Sequence, residues 1–268
     1  MCQLYVLYIL RNTMKLYSTR ESVELFHLVI LDLLGRKVDK NFYALKGGCN
    51  LRFFFKSIRY SQDMDLDVNT ALSKDKLQVI MSRLLESNTI EQILDVKGIK
   101  IQEKSSPKQT DTTQRWKFAL MVPRSSVPLR TKIEFSRRGM IPDLAFDSVD
   151  ASLIRTYELT PILASHYQRE DAFVQKVIAL ATRKQIQARD VFDLHLLLTS
   201  GVDTSVVYDK AAKYIDKAKE SIWAVSYDMF KSQVVSYLHP DYQAQYSSSD
   251  LWDSMILTIS NAFEGSGR

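Results

Sequence analysis

The sequence is short of the residues that build disulfide frameworks and zinc sites. Among 268 residues there are two cysteines, Cys2 and Cys49, which allow at most one disulfide and no Cys-x-x-Cys metal spacing. A reducing, cytoplasmic setting is the expectation. The four histidines, His27, His166, His195 and His239, are scattered without zinc-ligand spacing. There is no Gly-x-Ser-x-Gly nucleophile elbow and no Walker A sequence. The apolar run Leu4–Leu10 is far too short to span a bilayer. It has no charged segment before it and no small-residue cleavage site after it, so neither a membrane anchor nor a signal peptide is expected. No internal repeat, long linker or low-complexity run interrupts the chain.

What is present is ordinary globular composition, 46% apolar and 25% charged, in a chain long enough to bury a core without staples. The formal charge is +5 and the isoelectric point about 9.0. That permits a polyanionic partner such as RNA without requiring one. Residues 1–13 read as an extension ahead of a more conventional start at Met14, with packing as an extra helix or strand as the alternative. The tail Gly265-Ser266-Gly267-Arg268 reads as frayed.

Apolar periodicity predicts a helix over residues 19–36, with Ser18 or Thr19 as cap and Gly35 as terminator. A strand through 42–45, a Gly47-Gly48 turn, a helix over 49–55 and a strand over 64–68 follow. Residues 73–87 read as helix. Three strands at 98–103, 114–122 and 129–135, separated by turns at Ser105-Ser106-Pro107 and 123–128, read as an antiparallel meander in a sheet of about five strands. Beyond about Ser152 the strand signals fade. Apolar residues at helical spacing around Phe173–Leu180 and Val191–Leu198, with helices expected at 204–217, 219–237 and 249–263, describe a helical bundle. The expectation is an α+β domain over 14–152, a mixed sheet flanked by helices, followed by a helical bundle domain over 153–268.

Two stretches carry chemistry. The first is Tyr43–Asp67. Adjacent glycines let a backbone approach a ligand closely. Amides at the start of a helix suit phosphate, and Asp63 and Asp65, two apart on a strand, share one face. Mg²⁺ takes hard oxygens, commonly one or two carboxylates plus substrate phosphates. Against this stand an unliganded tight turn and a solvated acidic strand face, each the commoner case alone; the combination is the more specific signal. The second stretch holds Lys176 on an apolar helix and Arg189-Asp190-Val191-Phe192-Asp193 opening the next. Lys176 could reach a triphosphate or snorkel, and the acids could serve a site or simply favour a helix N-terminus. Arg59 and Ser61 could fix the acidic strand or touch phosphate, or form a turn with a surface ion pair.

Together, Lys46-Gly47-Gly48-Cys49-Asn50-Leu51, Arg59-Tyr60-Ser61-Gln62-Asp63-Met64-Asp65-Leu66, Lys176 and Arg189-Asp190-Val191-Phe192-Asp193-Leu194 resemble the AbiEii/AbiGii toxin family. These are nucleotidyltransferase-like proteins of abortive-infection and type IV toxin–antitoxin systems, on a polymerase β-like fold. The resemblance spans about residues 43–195. It implies an enzyme that moves a nucleoside monophosphate from a nucleoside triphosphate to an acceptor, with RNA or tRNA the expected acceptor and a separately encoded antitoxin as partner. It further implies that Gly47 and Gly48 contact the triphosphate, Asp63 and Asp65 hold Mg²⁺ (or Mn²⁺), Lys176 neutralises phosphate, and Asp190 positions Lys176 or acts in catalysis. Polymerase β-type sites commonly add a third carboxylate, and Glu134 on the 129–135 strand is the candidate, unless it pairs with Lys132 or Arg137. Cys49-Asn50 stands where the family more often has a small hydroxyl or alanine pair, which leaves phosphate contacts to the backbone. A non-catalytic nucleotide-binding or interaction protein on the same fold, or a phosphotransferase using the same carboxylates, is the alternative.

Overall fold

The computed structural model describes residues 15–140 and 143–265. The extension expected at 1–13, its start at Met14, Cys2 and the tail from Ser266 lie outside the described residues.

Seven strands form one mixed sheet in the order β3-β4-β5-β2-β1-β7-β6: β1 Tyr43–Lys46, β2 Met64–Val68, β3 Lys100–Gln109, β4 Thr113–Met121, β5 Leu129–Ser136, β6 Leu144–Ser148 and β7 Leu163–Tyr167. β2 runs parallel to β5 and β1 parallel to β7, while β3, β4 and β5 are the expected antiparallel meander. The expectation of five strands is corrected to seven, because the sequence reading places no strand at β6 or β7. The turn expected at Ser105-Ser106-Pro107 is also corrected. β3 runs straight through it, with a register shift between Ser105 and Lys108. β3 is an edge strand, and a bulged edge is where a strand tolerates proline.

The chain forms two compact units. One comprises the described residues up to Ala44, Gln62–Met140 and Ile154–Ala164; the other comprises Leu45–Ser61, the described part of Ile141–Leu153, and the chain from Ser165 onward.

In the first unit, helix α1 (Thr19–Gly35) begins at a capping box. Glu21 N–H donates to Ser18 Oγ (3.2 Å) and Ser18 N–H donates to Glu21 Oε2 (2.7 Å), which satisfies two of the amides a helix start leaves open. α3 (Lys74–Leu85) starts at Ser73, and α4 (Asn88–Val96) follows it. Leu25, Phe26, Leu28 and Ile30 of α1 are fully buried, as are Ile133 and Phe135 of β5, and Phe26 meets Phe118 of β4 edge-on at 5.0 Å. Alternation along β2 and β5 thus turns one sheet face to this core and leaves Asp65, Lys132 and Glu134 half-buried on the other. His27 sits fully buried in the core, its Nε2 2.8 Å from Thr131 Oγ1. Burial holds its pKa down at about 3, so it is a neutral core histidine.

In the second unit, α2 (Gly47–Phe54) leaves β1 directly, and α5 (Ala151–Tyr157) begins there before the chain passes to the first unit. Everything described after β7 is helical: α6 Arg169–Thr182, α7 Ala188–Thr199, α8 Thr204–Trp223, α9 Tyr227–Gln233, a 3-10 turn Val235–Tyr237, α10 Pro240–Tyr246 and α11 Ser249–Gly265. Their apolar faces share one core in which Phe173, Leu194, Phe230, Trp252 and Ile259 are buried, with Phe230 stacked on Trp252 at 4.4 Å. α8 continues to Trp223, past the break expected at 217–219. The helix expected over 219–237 is divided, because Ser226 caps a fresh start by accepting from Met229 N–H. No described helix is long and apolar enough to cross a membrane.

Candidate nucleotide and metal site

The two glycines, expected as a turn ahead of a helix over 49–55, are the first residues of the helix itself. β1 ends at Lys46, Gly47 takes φ +66°, a left-handed conformation that glycine adopts without penalty, and α2 begins at once. The N-cap residue, Lys46, makes no capping hydrogen bond through its side chain. Gly48 is glycine for a different reason. A Cβ there would lie 2.7 Å from Ser61 Oγ and 3.1 Å from Arg59 Nη2, too close for either neighbour. Ser61 and Arg59 are therefore packed onto the turn itself.

Arg59 is buried, and its guanidinium forks onto Asp193 of α7, with Nη2 2.9 and 3.0 Å from the two carboxylate oxygens. Asp193 also receives Lys176 of α6, Nζ to Oδ2 2.6 Å, and Lys176 in turn lies 2.9 Å from Asp190 Oδ1. Asp190 and Asp193 are fully buried, and Lys176 is nearly so. Being three apart, the two acids share one helix face. Arg183 Nε stands 3.0 Å from Asp190 Oδ2, but that oxygen accepts no aligned hydrogen bond from a described residue, so this contact is Coulombic. Burial alone would raise the Asp193 pKa; Arg59 and Lys176 outweigh it and hold the carboxyl below its ordinary 3.8. The same segment is fastened a second time, by Tyr60 N–H donating to Tyr237 O at 2.9 Å and an antiparallel bridge between Arg59 and Leu238.

Cys49 and Asn50 both point inward. Asn50 Nδ2 donates to Tyr167 O and its Oδ1 faces His166 Nδ1, each at 3.0 Å, while His166 stacks on Phe54 at 3.7 Å. Asn50, one of the two residues at which this chain departs from the family pattern, thus fastens α2 to β7.

In the first unit, Asp65 and Glu134 are in-register neighbours on parallel strands. Asp63, just ahead of β2, accepts from Lys132 N–H at 3.2 Å and lies 3.4 Å from Lys132 Nζ. Glu134 is held by Arg115 at 2.6 Å, with Lys132 Nζ 3.8 Å away. Among the described residues no three His, Cys, Asp or Glu side chains come together as a metal-holding group. Two half-buried carboxylates on one sheet face suit Mg²⁺, which leaves its other positions to phosphate and water; Glu134 is engaged by Arg115.

The structure brings Gly47, Gly48, Arg59, Ser61, Lys176 and Asp190 into one unit and Asp63, Asp65 and Glu134 into the other. Asp193, quoted in the motif but given no role from sequence, joins Arg59 to Lys176. Its signal was the Asp-x-x-Asp spacing with Asp190.

A mixed α+β sheet carrying a glycine turn-helix and an Asp-x-Asp strand is consistent with a nucleotidyltransferase-like fold. The family model for the nucleotidyl transferase AbiEii toxin of type IV toxin–antitoxin systems matches residues 30–256, and the chain belongs to that family. Among solved structures, JHP933 from Helicobacter pylori is similar, with a TM-score of 0.55 at 17% identity over 94% of this chain and 97% of that one. A second H. pylori structure, provisionally titled a nucleotidyltransferase, has a TM-score of 0.52 at 17% identity over 91% and 95% of the two chains. At such identity the likeness is one of fold. No curated protein matches the sequence.

Proposed function

We propose that this chain transfers a nucleoside monophosphate from a nucleoside triphosphate to an RNA acceptor, tRNA being the acceptor its family suggests, and that it does so as a toxin restrained by a separately encoded antitoxin. The observation that carries the reading is the packing of Ser61 and Arg59 onto Gly48. Asp63 follows Ser61 after a single residue and Asp65 after three, so covalent geometry alone keeps their Cα atoms within about 7 and about 14 Å of that of Ser61.

In this reading the first-turn amides of α2 and its helix dipole bind the triphosphate, with Gly47 and Gly48 keeping the approach open and Ser61 Oγ beside it. Arg59 is a positioning residue. Its fork on Asp193 fixes the 57–61 segment, and so the start of the acidic strand. Lys176 holds two buried carboxylates and keeps one of its three N–H donors for phosphate; Asp190 orients it. Asp63 and Asp65 would hold Mg²⁺ (or Mn²⁺), with Glu134 as the candidate third ligand; bound there, the ion would neutralise phosphate charge and lower the pKa of the attacking hydroxyl. Pyrophosphate leaves as the acceptor oxygen bonds to the α-phosphorus.

The test is incubation with α- and γ-labelled triphosphates, Mg²⁺ and total RNA. Label from the α position alone on RNA is the expected result. Label from the γ position would mean a phosphotransferase, and Mg²⁺-dependent nucleotide binding without transfer would mean a binding protein. Co-purification with the product of a neighbouring gene, and loss of toxicity on co-expression, test the antitoxin.

A further inference from the structure

The half-exposed face of the β3–β4–β5 meander, away from the α1 core, carries the cations Lys108, Arg115, Lys117, Arg130 and Lys132 against the acids Glu103 and Glu134. In the ladder Lys117 of β4 stands directly opposite Lys132 of β5, and Lys108 of β3 directly opposite Arg115 of β4. Like charges opposed across a ladder destabilise it, and two such pairs lie side by side. Partners relieve only one member of each. Lys132 has Asp63 and Glu134, and Arg115 has Glu134. Lys108 and Lys117 make no ion pair with a described residue, and neither does Arg130, which shares this face opposite Ala119. Lys117 and Arg130 are exposed. Lys104, which points to the other face, is tied instead to Leu85 O at 2.9 Å.

We infer that this face is the track for the phosphate backbone of the RNA acceptor, with Lys108, Lys117 and Arg130 as its contacts; the inference rests on the transferase reading above. The cations span three strands, roughly 10 Å from β3 to β5 at the usual strand spacing, which is more than one triphosphate would engage. They end at β2, where Asp63 and Asp65 lie on the same face. The aromatic side chains of these strands, Trp116, Phe118 and Phe135, are buried on the opposite face. Base stacking is therefore absent from the track. Recognition is of the backbone, independent of sequence and strongly salt-dependent.

The experiment compares the full-length protein with the triple variant Lys108→Gln, Lys117→Gln, Arg130→Gln, measuring anisotropy of a short fluorescein-labelled single-stranded RNA across a salt series. Three lost phosphate contacts on a single strand flatten the log–log salt slope by about 2, a loss of about 100-fold in affinity near 0.1 M salt. Because removing the cations relieves the opposed charges, the variant should melt at the same temperature or higher. An unchanged slope overturns the inference, as does poly-L-glutamate displacing the RNA as well as unlabelled RNA does, which would make this a protein-binding face. The two readings fail separately. RNA binding with the expected slope change but no α-label transfer by the wild type sinks the transferase reading alone. Transfer to RNA with no slope change sinks the track alone.

Discussion

Two clusters of charge, one in each unit, are built in opposite ways. In the second unit, Arg59, Asp193, Lys176 and Asp190 are buried and neutralise one another in a chain of contacts at 2.6–3.0 Å. In the first unit, Asp63, Asp65, Lys132 and Glu134 are half-buried on one sheet face, only partly withdrawn from water. A buried pair is worth little net but breaks expensively, whereas a surface charge is close to neutral for stability. The first unit's charges are therefore the better candidates for chemistry, and the second unit's for holding a backbone turn in place.

The largest effect should come from breaking the buried chain. Asp193→Ala leaves Arg59 and Lys176 buried without their shared counter-ion and should cost about 3–5 kcal/mol, read as a lower urea midpoint with no change in m-value. The same group gives a pH signature. Its folded pKa lies below the ordinary 3.8, so its contribution is complete above that value and is lost as pH falls through the lower, folded one. On the half-buried sheet face the balance reverses. Asp65→Asn should reduce transfer by about 1000-fold, in the range of losing one preorganised electrostatic group, while costing less stability than Asp193→Ala.

Gly48→Ala sharpens the comparison from the turn. The added methyl meets Ser61 Oγ at 2.7 Å and should cost about 1–3 kcal/mol as overpacking, together with weakened triphosphate binding. Ser61→Gly in the same chain removes both contacting Ser61 atoms and should recover most of the stability loss. The effect that is smallest at neutral pH concerns the first unit's core. With a folded pKa of about 3 against an ordinary 6.5, His27 stabilises fully above pH 6.5, and stability falls by up to about 1.4 kcal/mol per pH unit below it. His27→Gln should flatten that slope in urea titrations between those two values.

Much of this was legible in the sequence, for identifiable reasons. Ser18 marks the start of α1 because a helix cap is a local device. The meander is visible because Ile133, Phe135, Trp116 and Phe118 alternate with charged residues. β6 and β7 were not. Leu163-Ala-Ser-His-Tyr167 buries Ser165 and His166 as well as Ala164 and Tyr167, so it has no alternation to read, and its strand state comes from pairing with β1 far away in sequence. Pro107 misled because a proline marks a turn unless the strand is an edge. At the site, Gly47, Gly48, Asp63 and Asp65 stood out by type and spacing. Asp193 did not, since an acid early in a helix has an ordinary explanation, and only the fold brings Arg59 to it across 134 residues.

The most direct test of the central claim is the Asp63→Asn, Asp65→Asn double variant assayed for transfer of α-label from nucleoside triphosphate to RNA, alongside its urea midpoint. The account predicts loss of transfer to background with a wild-type midpoint; transfer at the wild-type rate would contradict it.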